Sequence, residues 1–192
     1  MSSIPKPRLS AEDYLAIEAA NTYKSEYLEG DIWAMAGASE AHVTIALNLA
    51  VLLREQLKGS PCRVYLTDMK VKVETANAFF YPDVFVSCEP REQHNSLYKQ
   101  QPVFIAEVLS PSTEAFDRGK KFAYYRQLDS LQHYWLIDSQ SMAVDCFTRG
   151  SDGDWILHTA NEPEQVLTLD KLPGQYAVQA IYDDVVFEDL TD

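Results

Sequence analysis

Two short runs decide the fold of this chain: Phe79-Phe80-Tyr81-Pro82-Asp83-Val84-Phe85-Val86 and Val103-Phe104-Ile105-Ala106-Glu107-Val108-Leu109. Both are apolar over strand-like lengths, the pattern of central strands buried on both faces. Each carries one charge, and that charge is an acid. A lone carboxylate in such a setting costs on the order of several kcal/mol in desolvation unless it is paired or bound to a cation. Two such acids on neighbouring strands also repel each other. A divalent cation relieves both penalties at once. The bland alternative places each acid at a strand end, in water.

The flanking sequence frames these strands. Ser10 to Ala20 predicts a short helix that Ser10 caps, with Asp13 three residues on. Tyr27 to Met35 predicts a hairpin turning at Glu29-Gly30-Asp31. Ser39 caps a longer helix that runs to the neighbourhood of Lys58. Its Val43, Ala46, Leu47, Ala50 and Leu53 form a stripe, which Ile45, Leu49 and Leu52 widen, so the helix is expected to be covered on most sides. Arg63 to Glu74 reads as one half-buried strand, Phe79 to Cys88 as a short apolar run consistent with a central strand, and Glu89 to Gln101 as a surface loop. Thr113 to Leu128 is helical in pattern. His133 to Asp138, Ala143 to Arg149 and Trp155 to Thr159 read as strands, and Ala177 to Phe187 as holding one more. This order predicts an α/β or α+β arrangement around one sheet.

Composition narrows the function. With 192 residues, 46% of them apolar and 23% charged, the chain is expected to fold as one globular domain over residues 1–192. Its net charge of −13 argues against coating nucleic acid non-specifically, because a phosphate backbone repels a net anion. Contact with DNA or RNA then needs a local basic patch, for which Arg63, Lys70, Lys72, Arg118, Lys120 and Arg126 are candidates, or a bridging cation. Excess carboxylate is also what hard divalent cations seek. The longest apolar-leaning run, Ala41 to Leu53, is too short to span a membrane. The start, Met1 to Arg8, has no apolar core of a signal peptide. Cys62, Cys88 and Cys146 are odd in number and widely spaced, which argues against a disulfide framework and for a reduced, cytoplasmic setting. The acidic tail, Asp183-Asp184 through Glu188-Asp189 to Asp192, reads as solvated.

Several stretches carry a resemblance. Glu26-Tyr27-Leu28-Glu29-Gly30-Asp31-Ile32 comes first, then Met35-Ala36-Gly37-Ala38-Ser39 with His42, then Tyr81-Pro82-Asp83-Val84. Glu107-Val108-Leu109-Ser110-Pro111-Ser112-Thr113 follows, with Asp117 and Lys121, and last Tyr125 with Ser130 to Asp138. In that order they resemble the Uma2 family, also called DUF820, of endonucleases within the PD-(D/E)xK nuclease superfamily. The resemblance implies a restriction-endonuclease-like α/β core, a central mixed sheet flanked by helices. It implies a Mg²⁺-dependent endonuclease acting on DNA, with Mn²⁺ as a substitute, working as a homodimer. It assigns the catalytic set to Glu26, Asp83, Glu107 and Lys121, and the metal to Asp83, Glu107 and the Val108 carbonyl. The superfamily pattern expects Lys two residues after the second acid, but position 109 is Leu, so the ammonium is expected from Lys121 on the following helix. The alternative is an inactive nuclease-fold member that serves as a binding or regulatory module. His42, in the first turn of the long helix, matches a histidine of that family, which implies a role near the site, while the bland and favoured reading is a capping or packing histidine. The bland reading of Asp117 with Lys121 is an i, i+4 ion pair on a helix surface.

Overall fold

Residues 8–187 are described in a computed structural model. The expectations for the start of the chain and for Glu188, Asp189 and Asp192 of the acidic tail lie outside the described residues. The first helix and hairpin form where the local signals put them. α1 spans Ala11–Ala20, and Ser10 and Asp13 close a reciprocal capping box at its start. β1 (Ser25–Leu28) pairs with β2 (Asp31–Ala34) in an antiparallel hairpin. Its two-residue turn needs left-handed backbone at both positions, met by Glu29 at φ 49° and Gly30 at φ 98°.

α2 (Glu40–Gln56) has Ser39 as its N-cap. It is not covered on most sides as expected. Ile45, Ala46, Leu49, Ala50 and Leu53 are buried, while Val43, Leu47 and Val51 are about half exposed. The helix carries two apolar rows at i, i+4, and only one faces the sheet.

The two long strand expectations each break in the middle. Arg63 to Glu74 becomes β3 (Arg63–Leu66) and β4 (Lys70–Val73), and the turn between them closes through the Met69 N–H on the Leu66 carbonyl. Phe79 to Cys88 becomes β5 (Ala78–Phe80) and β6 (Val84–Ser87). Pro82 has no N–H to give a ladder, so a break at Tyr81-Pro82-Asp83 follows from its chemistry. Each half then joins a different sheet. The Glu89–Gln101 loop holds a 3₁₀ turn, Pro90–His94, and a two-residue strand, β7 (Tyr98–Lys99).

β8 (Pro102–Leu109) leads into α3 (Glu114–Phe116), a π-helical turn (Asp117–Lys121) and α4 (Phe122–Tyr125). β9 (His133–Asp138), β10 (Val144–Arg149) and β11 (Trp155–Ala160) form a meander, and β12 (Val166–Leu169) pairs with β13 (Leu172–Ala177). The tail expectation is corrected: β13 ends at Ala177, and a short helix, α5 (Val178–Ile181), follows it.

The central sheet has six strands in the order β11-β10-β9-β8-β6-β3, and a second has five in the order β2-β1-β5-β4-β7. The central sheet is mixed, because β8 and β9 run parallel while its other pairs are antiparallel. On β8 the even positions Phe104, Ala106 and Val108 pack into a core with Ile45, Leu49 and Leu53 of α2. The odd positions Ile105 and Leu109 pack on the opposite face with Phe122, Tyr125, Tyr134 and Phe80. Glu107 shares that second face by alternation. This is the α/β architecture expected, a mixed sheet flanked by helices, with a second sheet the expectation lacked.

The cysteine expectation is overturned. Cys62 and Cys88 form a disulfide, and Cys146 is free and buried. Pairing of Arg63 with Ser87 explains it, since the next residues outward on antiparallel strands are 62 and 88. Among the described residues, no helix is long and apolar enough to cross a membrane. Thiol titration of the unreduced chain in denaturant should find one reactive thiol per molecule. A count of three would contradict the Cys62–Cys88 bridge.

Candidate functional site

Register brings the two acids together. The β6–β8 ladder runs antiparallel, and its last pair at this end is Val84 with Ala106. One step further sets Asp83 opposite Glu107, just where Pro82 has ended the strand. Like charges directly opposite each other on antiparallel strands are destabilising, so the pair needs other partners. Asp83 finds one in the ladder itself: the Val108 N–H donates to its Oδ2 at 2.8 Å. In an extended strand the Val108 carbonyl leaves on the same side as that N–H.

Glu107 is 2% exposed, in the middle of β8, and its partner is Lys121. The Lys121 Nζ lies 3.0 Å from Glu107 Oε1, 3.1 Å from Glu26 Oε1 and 3.5 Å from Asp117 Oδ1. The π-helical turn that carries Lys121 packs on the face of the sheet to which Glu107 points, and Nζ also sits 5.9 Å from the Phe80 ring centroid. Asp117 and Lys121 are therefore not a surface pair as read from their spacing. Both are buried, and their contact belongs to the site. Lys120, next in sequence, is exposed.

Glu26 reaches the same point from the other sheet. Its Oε1 also accepts the Tyr81 N–H at 3.0 Å, which ties the hairpin to the segment that breaks before Asp83. The four predicted residues, Glu26, Asp83, Glu107 and Lys121, thus converge, and the structure adds three more. The Tyr125 hydroxyl donates to Glu107 Oε1 at 3.0 Å. The Tyr134 hydroxyl donates to the Asp117 carbonyl at 3.1 Å. The His42 Nε2 lies 3.0 Å from Asp83 Oδ1, so this histidine does more than cap or pack its helix. The signal for Tyr125 was its place at three-residue spacing between Phe122 and Leu128, a polar hydroxyl in an otherwise apolar helical row. For His42 the helix spacing held none, because the contact depends on how α2 docks.

Electrostatics follow from burial. Desolvation pushes the Glu107 carboxyl well above its ordinary range, against the pull of Lys121, and Asp117, Asp83 and Glu26 add to the rise. Asp117 is raised for the same leading reason. Burial by itself would lower the Lys121 ammonium, but Glu107, Glu26 and Asp117 together hold it well above its usual value. The ammonium is thus held charged, and burial favours the protonated forms of Glu107 and Asp117. Among the described residues, no group of three or more His, Cys, Asp or Glu side chains is arranged to hold a metal ion. Glu26, Glu107 and Asp117 turn to Lys121, while Asp83 turns to the Val108 N–H and His42.

The candidate basic face is divided. Arg63 is on β3, and Lys70 and Lys72 are on β4 of the other sheet. Arg118 is taken up by Glu114 and Asp145, and Lys72 by Glu74.

The Uma2 family profile, described as "Putative restriction endonuclease", matches residues 11–180. The chain belongs to the Uma2 family. It is 37% identical over 185 residues to the uncharacterized protein slr1290 of Synechocystis sp., covering 96% of this chain and 97% of that protein. A second Synechocystis protein, the uncharacterized sll1609, is 37% identical over 151 residues, covering 78% of this chain and 85% of its own. A crystal structure of a "putative nuclease belonging to DUF820" from Anabaena variabilis superposes with a TM-score of 0.75. That superposition covers 93% of this chain and 99% of the other at 17% identity, so it speaks for the Uma2 fold alone.

Replacing Lys121 by Met leaves buried acids without their cation. The loss should be about 3–5 kcal/mol near neutral pH, read from chemical denaturation. Folded-state carboxyl values are raised, so the folded variant binds protons more readily than the unfolded chain. Its stability should therefore recover as pH falls from about 7 toward about 5. An unchanged denaturation midpoint would contradict the buried pairing.

Proposed function

We propose that this Uma2 chain engages a nucleic-acid phosphodiester, of DNA by preference, at the cluster formed by Glu26, Asp83, Glu107 and Lys121. The observation that carries the reading is the convergence of these four residues from two sheets and a helix, on a nuclease-type fold. Two forms of that function differ in whether the bond is cut.

The binding form, a regulatory or recognition module without catalysis, is favoured by the arrangement of the side chains as they stand. Lys121 is in contact with Glu107, Glu26 and Asp117 at once, and no three-residue ligand group is assembled among the described residues.

The cutting form, a Mg²⁺-dependent endonuclease of the PD-(D/E)xK type, is favoured by the donor chemistry. Mg²⁺ is commonly held by one or two carboxylates plus substrate phosphate, without an all-protein cage. Asp83, Glu107 and the Val108 carbonyl are hard oxygen donors of the required kind, and Mn²⁺ would substitute. When bound, such a cation polarises a phosphoryl oxygen and lowers the pKa of a water. The chain's own part is to place groups around the phosphate. Lys121, released from Glu107 when that carboxylate turns to a cation, would present its ammonium to the charge that builds on the reacting phosphate. Glu26 would hold Lys121 or a water at the same point, and Tyr125 would keep the orientation of Glu107. Cations at the site would also admit DNA to a chain of net charge −13. A homodimer is the proposed working state.

The deciding experiment incubates plasmid DNA with the protein and Mg²⁺ or Mn²⁺, beside Asp83→Asn and Glu107→Gln variants, with DNA binding measured in parallel. Nicking by wild type but by neither variant supports the cutting form. Binding that weakens with salt, without nicking, supports the binding form. Neither binding nor nicking overturns the proposal.

A further inference from the structure

The contact between His42 and Asp83 is not accounted for by either the fold or the pairing of Lys121. His42 lies in the first turn of α2, where its own N–H donates to Ser39 Oγ at 3.3 Å. Its side chain is 15% exposed, and its Nε2 lies 3.0 Å from an Asp83 oxygen that is itself in a largely buried carboxylate. Helix capping explains the backbone bond and leaves the imidazole free to point elsewhere. It points at the acid.

Asp83 is consequently gripped at both oxygens. The Val108 N–H takes Oδ2 at 2.8 Å, and His42 Nε2, when it carries the proton, takes Oδ1. Two donors on opposite oxygens fix the rotation of the carboxylate about its Cβ–Cγ bond. Each oxygen keeps a further lone pair, since an ionised carboxylate offers roughly four acceptor sites in all. Both donors are rigidly carried. Val108 is in a central strand, and α2 is locked by Ile45, Leu49 and Leu53 in the core beneath β6 and β8. A carboxylate fixed in this manner loses less freedom on taking up a cation than a free one.

We propose that His42 is a positioning residue: it aims the Asp83 carboxylate for a divalent cation and is not itself a ligand. The assignment rests on the reading of Asp83 as a cation-holding residue. Hydrogen-bond partners behind a ligand commonly change metal affinity by about 10–100-fold when removed. Gln can present an amide N–H where His42 presents Nε2; Ala cannot.

The test titrates the full chain with Mn²⁺ by calorimetry, comparing wild type with His42→Ala and His42→Gln, and records thermal unfolding of each without metal. Mn²⁺ affinity should fall about 10–100-fold in the Ala variant and return to within about threefold of wild type in the Gln variant. All three should melt at closely similar temperatures. Equal affinity in wild type and the Ala variant overturns the positioning role while leaving Asp83 as a cation ligand. Equal weakening in both variants overturns it too, since shape and not hydrogen bonding would then matter. No Mn²⁺ binding by wild type overturns the positioning role together with the cation reading of Asp83.

Discussion

The rest of the structure depends on one buried ion pair, Lys121 with Glu107. Glu107 stands in a strand whose other side chains are apolar, paired with β9 on one side and one step past the end of the β6 ladder on the other. No water-facing route is open to it at 2% exposure. The fold tolerates that acid because an ammonium arrives from the segment that crosses the same face. The cation then collects Glu26 from the second sheet and Asp117 from its own turn. One charge thus ties together the central sheet, the hairpin sheet and the α3–α4 segment. Replacing such a pair by apolar residues of similar volume is often neutral or stabilising. Its presence in the core therefore points to use and not to stability.

The second constraint is Pro82. By ending β5 and delaying β6, it sends one apolar run into two sheets and leaves Asp83 just past the end of a ladder. A residue there can turn its carboxylate onto the Val108 N–H, beside the buried Glu107. The same break carries the Tyr81 N–H to Glu26. Site and fold share their cause: the discontinuity that divides the sheets also assembles the acids.

Much of this was legible in the residues. A single acid in each apolar run marked Asp83 and Glu107. The capping signals of Ser10 and Ser39 and the Glu29-Gly30 turn placed α1, α2 and the first hairpin. What could not be read was anything that depends on register or docking. Cys62 and Cys88 look unrelated until Arg63 is paired with Ser87. The rows Val43/Leu47/Val51 and Ile45/Leu49/Leu53 are equally apolar, and only the sheet chooses between them. His42 sits three residues from the Ser39 cap, which favours a bland reading in sequence, yet its imidazole lies on Asp83. Asp117 and Lys121 have the spacing of a surface pair, and burial alone makes them part of the site. Arg63 to Glu74 reads as one strand because its second half alternates; β4 keeps that buried face, whereas β3 holds no fully buried residue and pairs in the other sheet.

The most direct measurement is a crystal structure with Mn²⁺ diffused into the protein, with the anomalous signal used to place the ion. The account predicts a peak between the carboxylates of Asp83 and Glu107, near the Val108 carbonyl, with the Lys121 ammonium withdrawn from Glu107. A crystal at saturating Mn²⁺ with no peak there, and with Lys121 still seated between Glu107 and Glu26, would contradict it.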